Sequence, residues 1–109
     1  MIFAVLSEAA SRSALILVDG GFCRFHRRRD GIVVIREILV LPASRCLGVG
    51  RRMVDEVQRR HPGATLLAKC PVADKDGRVG AGNVFWRKLG FRCVKEAGGL
   101  NIWLRDVRP

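Results

Sequence analysis

The sequence predicts an α/β fold in which helices pack on a mixed sheet. Three observations lead there. Short apolar, β-favouring runs are bounded by Asp-Gly, Gly-Gly or Pro. Mid-chain, one stretch repeats its apolar residues at helical spacing. The resulting order of three strands, helix, strand, helix and a closing strand pair is that of a sheet with packed helices. At 109 residues the chain has room for one core, so a single domain over 1–109 is expected.

Residues 14–18 (ALILV) are apolar and end at DGG, a turn signal that marks a first buried strand. FCRFHRRRDG, from residue 22, alternates apolar and basic residues up to Asp30 and Gly31, giving a second strand of a meander. Residues 32–41 (IVVIREILVL) form the strongest strand, interrupted by Arg36 and Glu37 and stopped by Pro42. Val49, Met53, Val54 and Val57 then recur at helical spacing until His61, Pro62 and Gly63. Residues 64–70 read as a strand and residues 72–82 as a polar, Gly-rich loop. Asn83 is placed to cap a short helix over residues 84–89, with Gly90 at its C-terminal end. Residues 91–97 and 100–107 read as a terminal hairpin through Gly98 and Gly99.

With 49% hydrophobic and 28% charged residues, the composition is that of a globular protein. Charged residues break every apolar run well short of the roughly 20 residues that a membrane span needs. The first residues lack the basic region of a secretory signal, so a cytoplasmic protein with no membrane partner is expected. Twenty Lys and Arg against ten Asp and Glu give a net charge of +10, which calls for an anionic partner. Cys23, Cys46, Cys70 and Cys93 form no CxxC pair, and neither His26 nor His61 stands at metal-ligand spacing from them. Free buried thiols and no metal site are expected.

The stretch LPASRCLGVGRRM, residues 41–53, crowds Arg45, Gly48, Gly50, Arg51 and Arg52 into the turn before the mid-chain helix. Backbone N–H groups at a helix start lack intrahelical partners and carry partial positive charge, which suits a phosphate. Glycines let the backbone approach that phosphate, and arginines add charge-assisted contacts. The alternative is a turn that merely joins strand to helix. Neither GxGxxG nor GxxxxGK followed by Ser or Thr occurs here.

The arrangement REILVLPASRCLGVGRRMVDEV resembles the GNAT superfamily of acyl-CoA-dependent N-acyltransferases, in which a strand ending near Pro leads into an R/Q-x-x-G-x-G/A turn. Arg45, Cys46, Leu47, Gly48, Val49 and Gly50 fill that pattern, and NVFWRKLGF, residues 83–91, resembles the family's later FYxxLGF segment. The resemblance runs from about residue 14 to 104 and implies a minimal GNAT-like fold lacking most of the N-terminal helices. It implies acetyl-CoA as cosubstrate, with the pyrophosphate held by Arg45 to Gly50 and Arg51. Ile38, Leu39 and Val40 would pair with the pantetheine arm and help polarise the thioester carbonyl. Asn83 would reach the cofactor, or serve simply as a helix cap.

In the family a carboxylate near Glu37 commonly takes the amine's proton, and partial burial would suit Glu37 to that role. Its alternative is an ion pair with Arg36 or another Arg on a solvated strand. The family's Tyr, which serves the departing thiolate, is replaced here by Trp86, an N–H donor and no acid. Trp86 then walls the acyl pocket, and Cys70, a water or solvent protonates the thiolate. The resemblance implies N-acetyl transfer by direct attack of a primary amine on a small molecule or protein. With few residues before Ala14 to wall the acceptor side, an open site or a homodimer that closes it is expected. Two rival readings remain: an acyl-CoA-binding module without catalysis, and a small basic nucleic-acid binder. RFHRRR, residues 24–29, lacks the interleaved aromatics of a stacking platform, which ranks nucleic acid below coenzyme A.

Overall fold

A computed structural model describes residues 13–72 and 81–106. The elements are β1 (Ser13–Val18), β2 (Gly21–Arg27), β3 (Val33–Val40), α1 (Val49–Arg60), β4 (Leu66–Pro71), α2 (Ala81–Lys88), β5 (Arg92–Ala97) and β6 (Leu100–Arg105). A 3-10 turn over Pro42–Ser44 follows β3. The expected strands and helices are all found, with ends displaced by a residue or two except at α2, which starts three residues before the expected 84. Most of the predicted loop at 72–82 lies outside the described residues, but Ala81 and Gly82 open α2 rather than closing that loop. Asn83 therefore stands inside the first turn of α2 and is not its cap.

The six strands form one sheet in the order β1-β2-β3-β4-β6-β5. β3 and β4 run parallel, with α1 as their crossover, and every other neighbouring pair is antiparallel. Alternation decides what is buried. Ile16, Cys23, Phe25, Val33, Ile35, Leu66, Ala68 and Trp103 point to one face and form a single buried cluster with Val49, Met53, Val54 and Val57 of α1 and Trp86 of α2. Both helices thus lie on that face. Each such large apolar side chain contributes about 1.5–3 kcal/mol on burial, and Phe25, Met53 and Leu66 are among those fully enclosed. Among the described residues no helix lies on the opposite face, where Leu17 is 56% and Leu39 43% exposed, although Leu67 of β4 is buried there.

One irregularity shapes the middle of the sheet. Arg24 of β2 pairs with Glu37, but the next residue, Phe25, pairs with Ile35, so Arg36 is an extra residue in β3. A bulge of this kind bends and twists its strand. The pairing of β3 with β4 stops at the same level: Val33, Val34 and Ile35 meet Leu66, Leu67 and Ala68, and no further pair follows. β3 stays on β2 as far as Val40 while β4 stays on β6 as far as Pro71, so the two halves of the sheet part in a V. Among the described residues, no helix is long and apolar enough to cross a membrane.

Candidate functional site

The turn from Leu41 to Gly48 stands at the open end of that V. Pro42 ends β3, the 3-10 turn reverses the chain, and Cys46 takes a left-handed φ of 64°. Gly48 follows at φ 79°, a conformation in which L side chains are strained, as N-cap of α1. A Cβ on Gly48 would meet nothing within 4 Å. No side chain caps α1, and no acidic residue stands in its first turn. The first intrahelical bond runs from Arg52 N–H to Gly48 O (3.0 Å). The N–H groups of Val49, Gly50 and Arg51 thus have no acceptor within the helix, an arrangement chemically suited to an anion. Arg45 Nε donates to Val40 O (3.1 Å), which fixes that guanidinium between the end of β3 and the turn. Cys46 and Leu47 are exposed on the turn's outer side.

Three residues grouped with this site by sequence have other partners. A Cβ on Gly50 would stand 2.6 Å from the Phe85 ring, so its bareness serves the close approach of α1 to α2. Arg51 donates to Lys88 O (3.1 Å) at the C-terminal end of α2, a cation placed where helix carbonyls lack partners. Asn83 is buried, and its amide is used in full. Its Nδ2 donates to Pro71 O (2.9 Å) and Val72 O (3.3 Å), while Oδ1 accepts from Trp103 Nε1 (3.0 Å) and Asn101 Nδ2 (3.2 Å). Asn83 ties α2 to the end of β4 and to β6, which keeps one arm of the V in place.

Along the other arm, Ile38 and Val40 pack toward the core, and Glu37 and Leu39 point to the bare face. The expected partial burial of Glu37 is not found: its side chain is 51% exposed and forms an ion pair with Arg24 across the strands. Arg24, rather than Arg36, is its partner because the bulge puts the two opposite each other. Trp86 is buried in T-shaped contact with Phe85 and Phe91, at 4.9 Å between ring centres in both pairs. Cys70, at the end of β4 that β3 has left, lies beneath Gly82 of α2, where burial pushes its thiol pKa up. Cys23, deeper in the core, is pushed up to about 12 by burial. The thiols are free, but Cys46 and Cys93 are exposed, so burial holds for Cys23 and Cys70 alone.

Sequence reasoning left the ion-pair partner of Glu37 open between Arg36 and another Arg, and foresaw neither Arg24 in that role nor the bulge at Arg36. Its one available signal was the charged pair inside an apolar strand, where the buried phase moves from Val33 and Ile35 to Ile38 and Val40. A groove of about 570 Å³ also opens between β1 and α1, floored by Ile16, Val49 and Met53. It mixes Asp19 and Glu56 with Arg52 and Arg60 and lies across α1 from the V.

Comparison with known proteins fits this geometry. The chain is similar in structure to an acetyltransferase from Thermus thermophilus, at 18% identity, covering 95% of this chain and 70% of that one with a TM-score of 0.75. An aminoglycoside 6'-N-acetyltransferase complexed with coenzyme A matches at 15% identity, covering 97% of this chain and 79% of its own, TM-score 0.75. The anti-CRISPR protein AcrVA5 matches at 21% identity over 84% of this chain and 98% of its own, TM-score 0.66. No curated protein matches the chain in sequence. Residues 4–93 match the acetyltransferase (GNAT) domain, a match over most of the chain and both of its motifs, and the chain belongs to that family.

Proposed function

We propose that the chain transfers an acetyl group from acetyl-CoA to a primary amine by direct attack. One observation carries the reading: the sheet parts between β3 and β4, and the uncapped start of α1 stands at the end of the parted strand. When bound, acetyl-CoA supplies an acyl group activated as a thioester. The N–H groups of Val49 and Gly50 hold the pyrophosphate, with Arg45 beside them and Gly48 leaving the approach open. On the side where β4 has turned away, the backbone of Ile38, Leu39 and Val40 offers hydrogen-bonding groups to the pantetheine arm and a donor to the thioester oxygen. Trp86 walls the acyl pocket, and Asn83 positions α2 without touching the cosubstrate. Glu37 takes the amine's proton, directly or through a water, and Arg24 holds its carboxylate in place. We place this activity in the cytoplasm, where exposed Cys46 and Cys93 stay reduced.

A second reading, an acyl-CoA-binding fold without catalysis, draws on one observation: the position of the family's Tyr holds a buried indole. Calorimetric titration with acetyl-CoA tests the shared site. Asn and Asp both tolerate a left-handed φ, so Gly48→Asn and Gly48→Asp differ essentially in charge. The native chain and Gly48→Asn are expected to bind, and Gly48→Asp to lose at least roughly tenfold in affinity. Equal affinity in all three removes the turn from the site. Release of free thiol when amines are added then separates transfer from mere binding.

A further inference from the structure

The β2–β3 hairpin carries Arg24, Arg27, Arg28, Arg29 and Arg36, with Asp30 and Glu37 as its acids. Both acids are engaged, Glu37 by Arg24 and Asp30 by Arg28 at 2.5 Å. Arg29 and Arg36 have no ion-pair partner among the described residues, while Arg27 shares the parity of buried Phe25 and belongs to the helix side. Arg24 and His26 alternate with buried Cys23 and Phe25, so they project from the face that the helices leave bare. Burial, and then the charges of Arg36 and Arg28, lower the His26 pKa. On the other arm of the V, Lys69 alternates with buried Ala68 and Cys70 and is exposed on the same face. The bare side of the V is thus flanked by cations on both strands, and its one carboxylate among the described residues, Glu37, is already paired.

We infer that the acceptor amine is a lysine side chain in an acidic peptide segment, held by the cations of the β2–β3 hairpin and Lys69. This rests on the acyl-transfer reading and names its substrate class. A polycationic acceptor would be repelled by the same charges, at like-charge separations that cost binding. Among the described residues a nucleic acid would meet no run of exposed aromatics for its bases to stack on. Its base amines, with lone pairs delocalised into the ring, are also weak nucleophiles beside a lysine. Carboxylates flanking a lysine both match the unpaired arginines and bring an aliphatic amine to Glu37. Glu37 takes one proton from the lysine ammonium, and the freed nitrogen attacks the thioester carbon to form the amide as the C–S bond breaks. The proton that nitrogen surrenders passes through water to the coenzyme A thiolate.

Fluorescence anisotropy with short labelled peptides tests this, one with lysine among Asp and Glu and one with lysine among Ser and Gly. Acetyl-CoA titration runs in parallel on the same proteins. The acidic peptide is expected to bind at least roughly tenfold tighter than the neutral one, a preference shrinking as salt rises from about 0.05 to about 0.5 M. The double variant R29E/R36E is expected to lose that preference while keeping its melting temperature and its acetyl-CoA affinity. Equal binding of the two peptides by a chain that still binds acetyl-CoA overturns the acceptor class and leaves acyl transfer standing. Binding of the acidic peptide without any acetyl-CoA binding sinks the acyl-transfer reading, and the acceptor role with it. A single-stranded oligonucleotide that outcompetes the acidic peptide overturns the inference in favour of nucleic acid.

Discussion

At the scale of single residues, Gly48 and Gly50 stand two positions apart and are bare for different reasons. Gly48 needs its left-handed backbone and has open space around it; Gly50 has Phe85 against it. Gly50→Ala is therefore expected to cost about 1–3 kcal/mol, the usual range for overpacking, and Phe85→Leu in the same chain to recover much of it. Urea unfolding of the two single variants and the double variant measures that coupling. Glu37→Gln is expected to lower turnover roughly a hundredfold while leaving the KM for acetyl-CoA unchanged, and an unaltered rate takes Glu37 out of the chemistry. The motif from Arg45 to Gly50 was legible because a helix start, a left-handed glycine and a basic side chain are local properties. The partners of Arg51 and Asn83 were not, since Lys88 lies 37 positions from Arg51 and Trp103 lies 20 from Asn83. No pattern within a turn encodes such distant neighbours.

At the scale of elements, the bulge at Arg36 and the parting of β3 from β4 are one event. Removing Arg36 would leave Ile35, Glu37 and Ile38 in uninterrupted alternation, with the buried residues still facing the helices. The deletion is thus expected to fold, to extend the pairing of β3 with β4 beyond Ile35, and to weaken acetyl-CoA binding more than roughly tenfold. Amide hydrogen exchange at Ile38 and Val40 reads the first effect and calorimetry the second; unaltered affinity with slowed exchange would detach the V from the site. For α2, Asn83→Leu leaves the Trp103 N–H buried without an acceptor, at roughly 1–3 kcal/mol for each group so stranded, and thermal melting reads the loss. Strands and helices were readable from periodicity and turn residues. The start of α2 was not, because Asn83, a favoured cap by residue type, has its amide committed to β4 and β6.

Over the described residues the molecule is two-faced, one side of the sheet carrying both helices and the other bare of helices and basic. Net charge announced an anionic partner, but charge is a sum over the chain, and only the register of β2, β3 and β4 assigns it to a face. Acidity acts on the molecule through His61, which meets Phe25 edge to face at 5.8 Å, and through His26. Burial, then Arg27 and Arg60, lower the His61 pKa from 6.5. The folded chain accordingly takes up a proton less readily than the unfolded one, and stability is expected to fall as pH drops below about 6.5. Melting temperatures should fall toward low pH across that window in the native chain, fall less steeply in His61→Gln, and flatten when His26→Gln is added.

The sheet order carries a consequence for synthesis. β6 is the last described strand to be made, yet it lies between β4 and β5. At the usual pace of translation, some 5–20 residues per second, the chain from Val72 to Leu100 takes roughly 1–6 s to appear. Through that interval β4 offers one side of its backbone to solvent, and β5 has nothing to lie against. The nascent chain is then an unfinished sheet with a sticky edge, the kind of surface that chaperones engage and that promotes association of neighbouring chains on a polysome. Arrival of Leu100–Arg105 closes both gaps at once.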